Sequence, residues 1–244
     1  MQTELLDALH RLEADFAVRA QNGTVRADLQ TYFDALCVAE QNAPTAELLA
    51  ARVGGLRLLR TLQNRTPPQT AAPPMCVPLS ALCESAAFCA DLLCGETQKR
   101  VFFTGEPHIT AACRPQAALW ATLNLLSNAL RYSAGRYIFI DTASVGDRAV
   151  LTVASEGDFP VSVFYAAQKH QGGGLWFAAQ TAHLHGGAVY LIQSNGFTAV
   201  RLPFPAVKAS LPQWDLPDFT DWLADGLSPI YTALCDSIFP NATL

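Results

Sequence analysis

The run Leu123-Asn124-Leu125-Leu126-Ser127-Asn128-Ala129-Leu130-Arg131-Tyr132-Ser133 carries two carboxamides four residues apart. At helical pitch Asn124 and Asn128 share a face, one turn apart. Leu123, Leu126 and Leu130 recur at the same pitch and mark the face that packs on a core. Asparagine is a poor helix former, because its side chain competes for backbone hydrogen bonds. Two of them inside a leucine-striped helix therefore mean either a solvated face or amide oxygens held ready for a ligand.

About forty residues on, Gln171-Gly172-Gly173-Gly174-Leu175 opens a second helical pattern that closes on Leu184-His185-Gly186-Gly187. Glycines at a helix start leave backbone N–H groups uncovered, and such a terminus attracts phosphate. Gly186-Gly187 is a helix-stop signal, and Ala188 to Ile192 follows as a strand. An amide-bearing helix beside a glycine-opened helix describes a nucleotide site with its metal on an amide oxygen.

Together these segments resemble the ATP-binding domain of sensor histidine kinases, in the superfamily shared with gyrase, chaperone and mismatch-repair ATPases. The resemblance covers roughly residues 75–205. It implies that Asn128 coordinates magnesium with ATP or ADP, while Asn124, Arg131 and Tyr132 line the phosphates and the nucleotide. Gly172, Gly174 and Leu175 match the family's second glycine box. Its first glycine box, normally Asp-x-Gly, is matched by Ser155-Glu156-Gly157, with serine where the adenine-binding acid is expected. The lid between Gly157 and Gly172 is only the fourteen residues 158–171, and Phe164 is the one candidate for its phenylalanine. A short lid closes poorly over the γ-phosphate, so transfer suffers more than binding.

The elements that must position these groups follow from composition and periodicity. Half of the 244 residues are hydrophobic, 15% are charged and the net charge is −5. That describes a folded chain with a sizeable core and gives no electrostatic footprint for nucleic acid. No apolar run is long enough to span a bilayer and the amino terminus lacks a signal-peptide pattern, so a cytoplasmic protein is expected. The seven cysteines include no Cys-x-x-Cys pair and read as buried thiols.

Apolar stripes predict helices over 2–21, 25–41 and from Thr45 to about Arg65, the last interrupted by Gly54-Gly55. Residues 66–74 hold four prolines and form a linker. The expected organisation is therefore α+β: a helical, dimerisation-type domain over 1–65, the linker, a two-layer α/β sandwich over 75–205, and a helical tail over 206–244. Within the sandwich the pattern predicts helices at 78–94, 114–133 and from the glycine loop, strands at 99–104, 108–113, 136–142, 148–154, 187–194 and 197–204, and a loop over 155–171. The tail, with Trp214, Trp222, Ile230 and Leu234, is apolar enough to form one or two helices docked on the rest or on a second copy. A homodimer is expected through the amino-terminal helices.

Active kinases of this type place an acid directly after the phosphoacceptor histidine. Here the only histidine on an amino-terminal helix is His10, followed by Arg11, with Glu13 three positions on. His185, ending a helix, stands where a cation is favoured. Arg52, Arg57, Arg60 and Arg65 give the third helix a positive face: a solvated surface, or a docking site for an acidic partner such as a response regulator. Three readings stay open: a phosphosignalling ATP-binding protein with weak or no autokinase activity, an active histidine kinase, and a nucleotide-free interaction module or phosphotransferase-like scaffold. Restoring the missing acid with Ser155→Asp should tighten adenine nucleotides by about 1.5–3 kcal/mol, the value of a charge-assisted hydrogen bond. Titration with ATP and GTP checks this, since an equal gain for both would mean that residue 155 does not read adenine.

Overall fold

The computed structural model describes residues 46–207 and 210–239. The expected helices over 2–21 and 25–41, together with His10 and the Thr45 cap, lie outside the described residues. Helix α1 (Ala46–Arg65) is followed by an irregular stretch over the proline-rich segment, then β1 (Met75–Pro78), α2 (Leu79–Leu93) and a 3-10 turn (Gly95–Thr97). Next come β2 (Arg100–Phe103), β3 (Thr110–Cys113), α3 (Pro115–Tyr132), β4 (Tyr137–Val145), β5 (Arg148–Glu156) and α4 (Val161–Ala167). The chain continues with α5 (Gly174–Leu184), β6 (Tyr190–Ser194), β7 (Phe197–Pro205), α6 (Phe219–Ala224) and α7 (Pro229–Ile238). Among the described residues, no helix is long and apolar enough to cross a membrane.

Five strands form one sheet in the order β2-β4-β5-β7-β6, with β2 parallel to β4 and every other pair antiparallel. Two tight turns set the register. Gly146, at φ +60°, is the first residue of the two-residue β4–β5 loop, the position that a type II′ turn gives to glycine. Asn195 and Gly196, both at positive φ, join β6 to β7 as an Asn-Gly type I′ turn does. Alternation then sends Ile138, Ile140, Leu151, Val153, Leu202 and Phe204 to one face, where they are buried. Helices α2, α3 and α5 form the second layer, so the protein is a two-layer α/β sandwich preceded by a helix. The opposite face carries a row of rings, Phe102, Phe139 and Phe197, with successive centroids 6.0 and 6.4 Å apart.

Helix α3 starts with Pro115 at its first turn, where a missing N–H costs nothing. Leu119, Leu123, Leu126 and Leu130 are all buried, each worth about 1.5–3 kcal/mol of transfer free energy. Helix α1 and the tail join this layer. Tail residue Trp214 donates its N–H to Cys76 of β1, whose own N–H bonds to Pro212. Ile230, Ala233, Leu234 and Cys235 of α7 are fully buried, and α7 packs against α3 and α1. The tail is thus docked on its own chain. Helix α1 runs unbroken through Gly54-Gly55, both buried, which makes that pair a close-packing site. Two elements were not expected: β1, four residues ending in proline, and α4, within the anticipated loop.

The stop of α5 shows how one histidine is used. Gly187 N–H bonds to the Ala182 carbonyl and Gly186 N–H, at φ +69°, to that of His183, a Schellman closure. His185 is not the cation expected at a helix end. Its Nδ1 donates to the Thr181 carbonyl at 2.7 Å and its Nε2 accepts the Arg114 N–H at 3.0 Å, so those partners require the neutral ring. Burial pushes its pKa down. Below the ordinary imidazole value of about 6.5 the unfolded chain takes up a proton that the folded ring refuses, so stability is lost as pH falls through that value. Thermal unfolding between pH 8 and 5 should show this loss, and His185→Asn should flatten it; an unchanged pH slope in the variant would overturn the assignment.

Candidate nucleotide site

One cavity of about 330 Å³ lies between α3, the carboxy-terminal end of β5 and the amino-terminal start of β7. Helix α3 contributes Leu125, Asn128, Ala129 and Tyr132 to its wall. Strand β5 contributes Val153, Ser155 and Glu156, and β7 contributes Thr198 and Val200. Alternation produces this wall, because Val153 and Ser155 share the inner face of β5 while Thr198 and Val200 share that of β7. Gly157, Asp158 and Phe159 continue it; α4 adds Phe164 and Ala167, and the start of α5 adds Gly173, Gly174 and Leu175.

Local bonds hold the strand-to-loop corner. Gly157 sits at φ +110°, a conformation that glycine alone adopts without strain. Its N–H bonds to the Gly196 carbonyl and its own carbonyl accepts the Thr198 hydroxyl at 2.6 Å. Gln193 donates to the Phe159 carbonyl at 2.9 Å, and the Phe159 ring meets Tyr132 edge-on at 6.3 Å. Phe164, 1% exposed, anchors the otherwise exposed helix α4.

Of the residues singled out from the sequence, Asn128, Tyr132, Ser155, Gly157, Gly174 and Leu175 come together on this cavity. Asn124, Arg131 and Gly172 do not line it. Asn124 is buried, and its amide donates to Asn64 Oδ1 of α1 at 2.8 Å. Arg131 extends toward the tail, with Nη1 3.5 Å from Asp236 Oδ2. Gly172, at φ +93°, is covered by the aliphatic stem of Arg65. Sequence reasoning did not list Thr198, Phe159 or the Val153–Val200 wall. The inward alternation of β5 and β7 would have found them.

The positive face of α1 also has internal partners. Arg57 and Arg60 bind Asp236 at 2.7 and 2.9 Å, and the Arg52 guanidinium lies 5.9 Å from the ring centroids of both Tyr231 and Phe239. Much of that face therefore meets the chain's own tail instead of standing as a solvated or partner-docking surface. Burial pushes the Asp236 carboxyl up, but the Arg57 hydrogen bond and the charges of Arg60, Arg57 and Arg131 outweigh it and hold the group below the usual carboxylate range.

No family model matches the sequence, and no curated protein matches it. Solved structures do match the fold. The ATP-binding domain of PrrB from Mycobacterium tuberculosis superposes with a TM-score of 0.50 at 21% identity, over 56% of this chain and 100% of that domain. A nucleotide-free catalytic domain of the histidine kinase ThkA matches with a TM-score of 0.50 at 14% identity, over 55% of this chain and 97% of that one. The sandwich has the fold of histidine kinase ATP-binding domains.

Gly174 fixes how closely α5 approaches α3. A Cβ there would lie 2.8 Å from Asn124 Oδ1, and the Asn64 bond prevents Asn124 from yielding. Gly174→Ala should therefore cost about 1–3 kcal/mol, as overpacking does. Gly173→Ala meets nothing nearer than 3.4 Å and should cost less. Denaturant unfolding of both variants checks the difference, and equal stabilities would contradict the packing described.

Proposed function

We propose that the chain is a cytoplasmic nucleotide-binding module of two-component-type signalling, holding ATP or ADP weakly and lacking effective autokinase activity. The observation that carries this reading is the meeting of Asn128 with the opening turn of α5 on one cavity wall. The first N–H groups of α5 and the helix dipole favour a phosphate there. Ser155, on the strand wall, offers a neutral hydroxyl to a base, while the Thr198 hydroxyl proton is held by the Gly157 carbonyl, and Leu125, Val153, Phe164 and Leu191 enclose the base.

Magnesium suits this donor set. Asn128 supplies one hard amide oxygen, and among the described residues no three His, Cys, Asp or Glu side chains gather to hold a metal alone. The ion would arrive with phosphate and water oxygens, and when bound it offsets phosphate charge. Phosphoryl transfer to imidazole further needs a ring nitrogen in line with the phosphate and a carboxylate to balance its proton. Arg11 beside His10 and the short segment 158–171 both speak against that chemistry. The dimer through the amino-terminal helices remains part of the proposal. The competing reading, an interaction module without nucleotide, draws support from the internal partners of Asn124 and Arg131.

Calorimetric titration of the full chain with magnesium–ATP separates the two readings. Wild type should bind in the micromolar to millimolar range, and Asn128→Ala should weaken binding about tenfold, equivalent to about 1.4 kcal/mol. No acid-labile label should appear from γ-labelled ATP. Absence of binding at millimolar ATP would leave the interaction module, and label lost in His10→Gln would restore the active kinase.

A further inference from the structure

The cavity's charge pattern is unlike that of a site built to grip a polyphosphate. Glu156, Asp158 and His170 belong to its wall, the Glu156 carboxylate lying against Gly135, and among the described residues no lysine or arginine does. Arg131 stands one residue before the cavity-lining Tyr132 on α3. Its guanidinium lies 5.4 Å from the Tyr132 ring centroid, yet its charge faces Asp236 of α7. Asp236 also holds Arg57 and Arg60 of α1, so three guanidinium groups share one carboxylate. Asn124, the second amide of α3, is closed off in the same way by Asn64 of α1 and by the backbone of Gly174.

We infer that α1 and α7 act as a clamp that keeps Arg131 and Asn124 off the cavity, so that the site reads the nucleoside and gains little from its phosphate chain. The inference rests on the nucleotide reading above and states which part of the nucleotide is recognised. A phosphate chain meets the partial positive charge of α5, about half a unit, with Asp158 on the same wall and, among the described residues, no lysine or arginine beside it. The base and ribose meet apolar walls and the hydroxyl of Ser155, which depend on no cation. Removing phosphates therefore takes away few favourable contacts. Releasing Arg131 should reverse this, because a guanidinium–phosphate contact is charge-assisted and two-pronged.

The test is calorimetric titration of the full chain with adenosine, ADP and ATP in excess magnesium. The three dissociation constants should agree within about tenfold. ATP binding more than tenfold tighter than adenosine would overturn the inference while leaving nucleotide binding intact. Failure of all three to bind would remove the nucleotide reading itself, and this inference with it. Asp236→Asn, which removes the charge and keeps the shape, should tighten ATP about fivefold or more and leave adenosine unchanged. That gain should vanish in Asp236→Asn/Arg131→Gln. Equal shifts for both ligands, or no shift in a folded Asp236→Asn, would overturn the clamp. Should the variant not fold, the wild-type ratio of ATP to adenosine decides alone.

Discussion

Helix α3 is buried on most of its circumference, and each buried polar group it carries must therefore find a partner. A buried amide without a hydrogen bond costs about 1–3 kcal/mol, comparable with burying a leucine. The leucines of α3 are buried in the core, which leaves its polar residues to the remaining neighbours. Asn124 meets Asn64, Asn128 meets the cavity, and Arg131 meets Asp236. These contacts bring α1 and α7, which lie far apart in sequence, to the same helix. Close approach of α5 then requires Gly174 opposite Asn124, since a larger residue would collide with an amide that cannot move.

Charge is sorted by the same geometry. Arginines from α1 and α3 gather on Asp236 at the α1–α7 contact, while no lysine or arginine among the described residues lines the cavity. The proline-rich segment breaks secondary structure, yet the helix before it packs against the helices after it. Whatever moves α7 alters both the packing of α1 and the surroundings of Arg131. The site and the tail are thereby coupled through a single carboxylate.

The fold of histidine kinase ATP-binding domains persists here at low sequence identity because its determinants are local and tolerant. Inward alternation along β4, β5 and β7, two tight turns with residues at positive φ, and a glycine closure after α5 specify the sandwich without specifying particular side chains. What the cavity offers a ligand depends instead on particular side chains, with Ser155 on its wall and Arg131 turned toward the tail.

Periodicity and punctuation made much of this legible. The leucine spacing of α3, the glycines at each end of α5, the alternating strands and the apolar tail each encode which residues share a face or where an element stops. Helix α4 escaped notice because Phe164 is its single buried anchor while Val161, Val163 and Tyr165 are exposed. Strand β1 escaped because four residues carry too little pattern. What the sequence could not determine was the group lying opposite each face. Spacing placed Asn124 beside Asn128, but only packing gave one to Asn64 and the other to the cavity. It put arginines on α1, but their acid lay 179 positions away from Arg57. It set His185 at a helix end, but a buried ring accepting the Arg114 N–H must be neutral. Periodicity is a property of the chain alone, whereas protonation and pairing depend on the neighbours that folding supplies.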